Sequence, residues 1–180
     1  ATMGGFIALA AARNEVLRWA GCDFEEEGLQ GAPPINVFIN DDAHASNTAV
    51  LHYLGFGARN LVPITTDGQG VMDTCELAAA MSSRAGPQIV LCQAGHINSG
   101  AFDDFAEIAD LADRNGAWMH VDGAFGLWSR AVPEMKRLAA GVERAHSWAV
   151  DGHKWLQIPY DSGFAIVRDQ NAHRRAMTIS

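Results

Sequence analysis

The sequence has few cysteines and none of the closely spaced pairs that bind zinc or form a redox motif. Cys22, Cys75 and Cys92 are far apart, and no C-x-x-C pair is present. This spacing argues against a disulfide framework and against a zinc knuckle. We therefore expect a reducing, cytoplasmic environment.

Positive charge and long apolar runs are also scarce. The chain carries 13 Lys and Arg residues against 21 Asp and Glu residues, a formal net charge of −8. Such a surface does not suit a phosphate backbone or an anionic membrane. No apolar run approaches the length of a membrane span, and the start lacks the charged region of a signal peptide. We expect neither a nucleic-acid partner nor a membrane partner.

The composition is that of a globular domain. The 180 residues are 48% hydrophobic and 19% charged, enough to bury a core in one domain. No internal repeat, low-complexity tract or linker divides them, so residues 1–180 are treated as one domain. The chain enters a helical pattern directly after Ala1 and reaches Ser180 just after another, which indicates a part of a longer protein.

Strand and helix patterns alternate along the chain. Short apolar runs bounded by turn residues predict strands at 35–39, 60–64, 88–92, 117–121, 147–150 and 164–167. Helical spacing predicts helices at 2–20, 44–54, 73–84, 103–115 and 133–140. This alternation predicts a three-layer α/β domain, with a mostly parallel sheet and helices on both faces.

Capping residues mark several of the predicted helix starts. Asp73 and Glu76 form a capping-box pattern, and Asp103 precedes an amphipathic run as a candidate N-cap. Pro133 is placed to begin the helix that Gly141 ends.

Polar residues follow several of the predicted strands. In parallel α/β sheets, ligands bind outside the carboxyl ends of the strands. The residues found there are Asp42 and His44 after the first strand, residues 95–100 after the third, Asp122 to Ala124 after the fourth, and Asp151 to Lys154 after the fifth.

Lys154 follows a buried strand and lies next to Trp155. Taken alone, such a lysine usually lays its stem on the aromatic ring and keeps its charge in water. In apolar surroundings its pKa falls, and the neutral amine becomes a nucleophile toward a carbonyl carbon. The product of that reaction would be a Schiff base.

Lysine, carboxylate and imidazole groups at one sheet edge suit pyridoxal 5′-phosphate. Its aldehyde needs a lysine, and its ring nitrogen needs a carboxylate to stay protonated. Asp122 suits the second task, Ala124 leaves room for a flat ring, and His44 is placed to stack on it. Alternatively, Asp122 is a turn carboxylate and His44 a polar residue at a helix start. Backbone N–H groups at the first helix start, Thr2, Met3 and Gly4, suit the phosphate.

Five segments together carry a family resemblance: ATM with ALAAAR, DDAHAS, GAFDD, HVDGAFG and DGHKWLQIPYDSG. With them, the chain resembles the large domain of the pyridoxal-phosphate-dependent amino acid decarboxylases, the group that contains glutamate, aromatic amino acid and tyrosine decarboxylases. The resemblance runs nearly end to end. It implies the aspartate aminotransferase-like fold, called fold type I, and decarboxylation of an L-amino acid by a homodimer.

The resemblance also implies roles for individual residues. Lys154 would form the Schiff base, Asp122 would pair with the pyridine nitrogen, and His44 would stack on the ring and face the substrate. The remaining cofactor contacts would be Ala124 beneath the ring, Thr2 and His153 at the phosphate, and Asp151 beside them.

The chain departs from the family pattern in three places. Gly4 and Gly5 replace a common Ala-Asn pair. His96, Ile97 and Asn98 stand where relatives often have threonines, and no role is assigned to them, although Asn98 is a candidate to hydrogen-bond the cofactor or Asp122. The family's N-terminal segment, small domain and mobile loop with its catalytic tyrosine are expected outside residues 1–180.

The same residues have other possible functions. The pairs His120 with Asp122 and Asp151 with His153 contain metal-ligand types, but no third anchor has ligand spacing, so no metal is predicted. The GFGARN segment lacks the third glycine of a Rossmann motif. A lyase, aldolase or aminotransferase of the same fold, and a non-catalytic fragment, remain alternatives.

Overall fold

The computed structural model describes residues 1–178, and residues 179–180 lie outside the described part. Its α-helices are α1 (Thr2–Trp19), α2 (Phe24–Glu27), α3 (Ala45–Tyr53), α4 (Thr74–Ser82), α5 (Phe105–Asn115) and α6 (Gln170–Met177). Its strands are β1 (Asn36–Asn40), β2 (Leu61–Ile64), β3 (Gln88–Gln93), β4 (Trp118–Asp122), β5 (Ser147–Asp151) and β6 (Gly163–Val167).

The six strands form one sheet in the order β2-β1-β3-β4-β5-β6. The first five are parallel, and β6 runs antiparallel to β5 with Gly163 opposite Asp151. Every residue of β3 and β4 is buried, as expected for strands covered on both faces. The predicted mostly parallel α/β fold is confirmed.

Two apolar clusters cover the two faces of the sheet. On one face, Met119 and Val121 of β4 pack with residues of α4 and α5, including Phe105. On the other face, Trp118 packs with residues of α1 and α3, including Leu9. The side chains of β4 alternate between these clusters, so its carboxyl-terminal Asp122 lies on the α1 face.

The capping prediction for α4 is confirmed in part. The Asp73 side chain accepts a hydrogen bond from the Glu76 backbone N–H at 2.9 Å. The Glu76 carboxylate accepts from the Thr65 backbone N–H at 3.0 Å instead of closing the capping box. Glu76 therefore connects α4 to the end of β2.

The predicted N-cap of α5 is wrong by one residue. Asp104 caps the helix, accepting from the Glu107 backbone N–H at 3.1 Å. Asp103 is buried and accepts from the backbone N–H groups of Met72 at 2.8 Å and Gln93 at 2.7 Å. Burial raises the pKa of Asp103 to about 6, although both hydrogen bonds favour its ionised form. The buried carboxylate connects the end of β3 to the loop before α4.

The predicted helix at 133–140 is wrong. The chain from 126 to 144 forms three short 3₁₀ segments, Gly126–Ala131, Lys136–Ala139 and Val142–Arg144. Within Lys136–Ala139 only Ala139 is buried, so no apolar stripe holds a longer helix against the sheet. Across residues 1–178, the structure contains no helix whose length and hydropathy would allow it to cross a membrane.

Candidate active site at the carboxyl edge of the sheet

A cavity of about 260 Å³ opens at the carboxyl ends of β4 and β5. The predicted site residues that line it are Thr2, His44, Asp122, Ala124, Asp151, His153 and Lys154. Met3 is 58% exposed and does not line the cavity. The topology thus brings together side chains that are up to 152 positions apart in the sequence, from Thr2 to Lys154.

Lys154 lies in the turn after β5 with its side chain partly buried. Its Nζ is 2.9 Å from Asp151 Oδ2 and 3.9 Å from the ring centroid of Phe125. Burial lowers the pKa of Lys154, and the nearby Asp122 carboxylate opposes this shift. Lys154 is therefore easier to deprotonate than a surface lysine, as a nucleophilic amine requires. The sequence patterns did not identify Phe125 as its neighbour.

Asp122 lies at the end of β4 and is 9% exposed. Its Oδ2 accepts a hydrogen bond from Asn47 Nδ2 at 2.8 Å, and its Oδ1 accepts from the Ala124 backbone N–H at 3.1 Å. Asn98, a candidate partner of Asp122 in the sequence, does not bond it, because Asn98 is exposed and its backbone N–H donates to the His96 ring. Asn47, three positions after His44 and so close to it on α3, is the amide that reaches the carboxylate.

His44 is a polar residue at a helix start, which is one of the two interpretations made from the sequence. It is the N-cap of α3, where its Nδ1 accepts from the Ser46 backbone N–H at 3.2 Å. It also lines the cavity. The capping bond fixes the ring at the helix start, facing the space next to Asp122.

The start of α1 lies against β6. A Cβ atom at Gly4 would be 3.1 Å from the Phe164 carbonyl oxygen, so the helix approaches the strand so closely that a side chain would require a small shift of one of them. Gly5 lines the cavity, and a Cβ there would meet only Val50 at 3.8 Å. Close backbone packing therefore accounts for Gly4, while Gly5 leaves the cavity wall without a polar side chain.

His153 is held by the loop that returns from Lys154 to β6. Its Nδ1 lies 2.7 Å from the Ser162 carbonyl oxygen, and its Nε2 lies 3.5 Å from Asp151 Oδ2. The ring of Tyr160 meets the imidazole edge-on, with centroids 4.7 Å apart, and Tyr160 lines the cavity. The sequence patterns did not identify Tyr160.

His120 lies on the same face as Asp122 but takes part in a different set of contacts. Its Nδ1 is 2.8 Å from Ser147 Oγ, which also accepts from Trp118 Nε1 at 2.9 Å. Burial lowers the pKa of His120 to about 4. Within residues 1–178, no group of three or more His, Cys, Asp or Glu side chains is arranged to hold a metal ion.

The residues of this cavity fit pyridoxal 5′-phosphate. A desolvated lysine amine and a buried, doubly hydrogen-bonded carboxylate face the same space, and the small side chain of Ala124 leaves room between them. The fold and the cavity therefore define a pyridoxal-phosphate-dependent enzyme domain.

Comparison with known proteins identifies the family. The model named "Pyridoxal-dependent decarboxylase conserved domain" matches residues 1–180, and the chain belongs to this family. The acidic amino acid decarboxylase GADL1 of Bos taurus is 34% identical over 173 residues, 93% of this chain and 33% of that protein. Tryptophan decarboxylase 1 of Oryza sativa is 31% identical over 169 residues, 91% of this chain and 32% of that protein. The chain thus spans about a third of the length of these relatives.

Solved structures agree with the family assignment. Mouse CSAD in its apo form superposes with a TM-score of 0.90 at 27% identity, covering 99% of this chain and 38% of that one. Oryza sativa TDC with PLP and tryptamine superposes with a TM-score of 0.88 at 28% identity, covering 99% and 37%. The family resemblance, the fold type and the cofactor predicted from the sequence are confirmed.

Proposed function

We propose that the complete protein decarboxylates an L-amino acid, releasing CO₂ and the corresponding amine. The observation that carries the proposal is that Lys154 and Asp122 face one cavity, in a chain that belongs to the pyridoxal-dependent decarboxylase family. Pyridoxal 5′-phosphate, when bound, supplies an electron sink for the charge left by departing CO₂. The residues of this chain would bind and orient the cofactor and hold the proton of its ring nitrogen.

Lys154 would hold the cofactor through a covalent bond from its amine. Burial lowers its pKa and so favours the neutral, nucleophilic form. Asp151, whose Oδ2 is 2.9 Å from Lys154 Nζ, orients the amine at the end of β5. The carboxylate is itself buried, which strengthens this contact relative to a surface ion pair.

Asp122 would hold the proton of the ring nitrogen. Hydrogen bonds from Asn47 and the Ala124 backbone N–H fix both oxygens of its carboxylate. A carboxylate held in this way keeps its negative charge next to a cationic ring without having to reorganise. Asn47 is therefore a positioning residue for Asp122.

The remaining residues would enclose the cofactor. His44 would stack on the ring and face the substrate, and Ala124 would lie beneath the ring. Thr2 and His153 would contact the phosphate. Met3 would contribute only its backbone N–H, because its side chain is exposed and does not line the cavity.

We also propose that the complete protein is a homodimer. Apolar side chains in the segment that follows Lys154 are exposed in the described residues: Trp155, Leu156, Tyr160, Phe164 and Ile166. An exposed apolar patch of this kind suits a protein interface. Light scattering on the complete protein tests this, and a monomer at micromolar concentration would contradict it.

The cofactor bond can be tested on the complete protein without a substrate. Lys136 and Lys154 are the two lysines of this sequence, and Lys136 is exposed, so it provides a matched control. With added pyridoxal 5′-phosphate, we expect an absorption band at longer wavelength than the protein's own in the wild type and in Lys136→Ala. Lys154→Ala should lack the band, and borohydride reduction should mark the peptide that contains Lys154.

The reaction itself requires a product assay. Incubation with a panel of acidic and aromatic L-amino acids should release CO₂ and amine in equal amounts. Release of a keto acid without CO₂ would show that the protein catalyses transamination and not decarboxylation. A band that survives Lys154→Ala would remove Lys154 from its proposed role.

A further inference from the structure

His96 is buried, although the four residues that follow it in the loop after β3 are exposed. It is 5% exposed, whereas residues 97–100 after it are all exposed. Its Nε2 lies 2.9 Å from Oδ2 of Asp42, which is 54 positions away in the sequence and follows β1. The pair therefore connects the loop after β1 to the loop after β3.

The hydrogen bonds of the imidazole fix its orientation. The Asn98 backbone N–H, which can only donate, donates to His96 Nδ1 at 3.3 Å. Nδ1 is then the acceptor, and the proton of the neutral ring lies on Nε2 and is donated to Asp42. Both ring nitrogens are used, so the ring has one favoured orientation between the two loops.

A third loop closes against the same ring. Gly70 has φ +82°, and a Cβ there would lie 2.7 Å from His96 Cδ2. The Gly70 carbonyl oxygen accepts from Asn40 Nδ2 at 2.9 Å, and Asn40 Oδ1 accepts from the Asp42 backbone N–H at 2.8 Å. The loop before α4 thus packs on the imidazole of His96. Through Asn40, it also holds Asp42, whose carboxylate binds that imidazole.

Two cavity residues depend on this arrangement. His44 follows Asp42 by two positions, and Ile97 directly follows His96. Both line the cavity although they come from different loops. A change in the His96–Asp42 distance would move one relative to the other.

We propose that His96 is a positioning residue which, through Asp42, holds His44 and Ile97 at a fixed separation across the cavity. The proposal rests on the proposed function, because it takes His44 as facing the cofactor and substrate. It gives a role to a residue at which this chain departs from the pattern expected of its family.

The kinetic test is a double-mutant cycle in the complete protein. His96→Ala and Asp42→Ala should each raise KM about tenfold with a smaller change in kcat, because a hydrogen bond to a charged group is lost. The double variant should be no more than about twofold worse than either single one. Asp42→Asn keeps an oxygen acceptor for Nε2–H, so it should recover most of the wild-type KM.

Asp41→Ala is the matched control. Asp41 is exposed, adjacent to Asp42, and accepts from Thr66 Oγ1 at 2.9 Å, away from His96. Its KM should stay within about twofold of the wild type. Effects of His96→Ala and Asp42→Ala that multiply, or an Asp42→Asn variant as impaired as Asp42→Ala, would overturn the proposal.

Hydrogen exchange separates this inference from the proposed function, because it needs neither cofactor nor substrate. In Asp42→Ala, the backbone of residues 40–44 and 94–101 should exchange faster than in the wild type, and in Asp42→Asn and Asp41→Ala it should not. Unchanged exchange in Asp42→Ala would overturn the proposal even if the enzyme decarboxylates. Faster exchange in Asp42→Ala, together with a wild-type protein that does not decarboxylate, would support the role of the His96–Asp42 pair and contradict the proposed function.

Discussion

The two faces of strand β4 differ in what they contact. Met119 and Val121 point into an apolar cluster beneath α4 and α5. On the α1 face, Trp118 is followed by His120 and then by Asp122, so the face becomes more polar toward the cavity. One five-residue strand therefore stabilises the fold on one face and positions a reactive carboxylate on the other. Substitutions on the first face should change stability, and those on the second should change the site.

The largest expected effect is on the apolar face. Phe105→Ala removes a fully buried ring between α5 and the sheet and should lower the free energy of unfolding by about 3–5 kcal/mol. Urea unfolding of the complete protein measures this. The cofactor band of the folded variant should be unchanged. As a control, Tyr53→Ala alters a side chain that is 68% exposed and should cost about 0.5 kcal/mol or less. Equal losses in both would contradict the separation of the faces.

The next effect is on the cavity side. Asp122→Asn keeps the size of the side chain but removes its charge, and it should lower kcat by about a hundredfold to a thousandfold. The midpoint of thermal unfolding should change little. Asp110→Asn, at an exposed carboxylate on α5, should leave kcat unchanged. A decarboxylase rate close to that of the wild type in Asp122→Asn would exclude the proposed role of Asp122.

The third prediction concerns the α1 face far from the cavity. His146 Nδ1 accepts from the Met119 backbone N–H at 3.0 Å, and burial lowers the pKa of His146 to about 4. In the unfolded chain, His146 takes up a proton near its ordinary pKa of about 6.5. Between these values the unfolded state binds more protons, so the stability contribution is present above about pH 6.5 and is lost as the pH falls toward 4.

We expect this loss to be about 2 kcal/mol between pH 7 and pH 4. His146→Gln should lack this part of the pH dependence. Comparing the two proteins cancels the opposite contribution of Asp103, whose raised pKa weakens stability as the pH rises toward 6. Urea unfolding at several pH values measures the difference. Parallel curves for the two proteins would show that His146 is not held neutral.

The smallest expected effect is at Asn47, which donates a hydrogen bond to the Asp122 carboxylate. Asn47→Ala removes the hydrogen bond to Asp122 Oδ2 and should lower kcat about tenfold, because a hydrogen bond to a charged group is lost. Thr48→Ala, at the exposed neighbouring position of α3, serves as the control. A decrease as large as that in Asp122→Asn would mean that Asn47 contacts the reacting groups itself.

The sequence predicts those parts of the site that follow directly from strand ends. Asp122 comes immediately after an apolar run and Lys154 comes four positions after one, and parallel pairing places such residues at one edge of the sheet. The contacts of Asn47 with Asp122 and of Phe125 with Lys154 were not predicted. Asn47 lies near the start of α3 and Phe125 lies in the turn after β4, and both reach their partners only in the folded chain. Their contacts depend on how α3 and the turn after β4 pack, which no local pattern specifies.

The same reasoning explains the errors in the fold. The choice between Asp103 and Asp104 as helix cap depends on two backbone N–H groups from other parts of the chain, which bind the buried Asp103. The segment 133–140 begins with a proline and is followed by Gly141, as a helix often is, but it lacks a buried stripe. Local start and stop signals do not form a helix unless one face has a surface to pack against.

At Gly4, α1 and β6 are in close backbone contact, so the position of α1 beside the cavity is set by backbone packing. β6 follows the loop that carries Lys154, so the helix start and the lysine loop are joined where no side chain intervenes. An alanine at position 4 would require a shift of a few tenths of an ångström between them. A single methyl group that never enters the cavity would therefore change the position of Thr2 relative to the loop that carries Lys154.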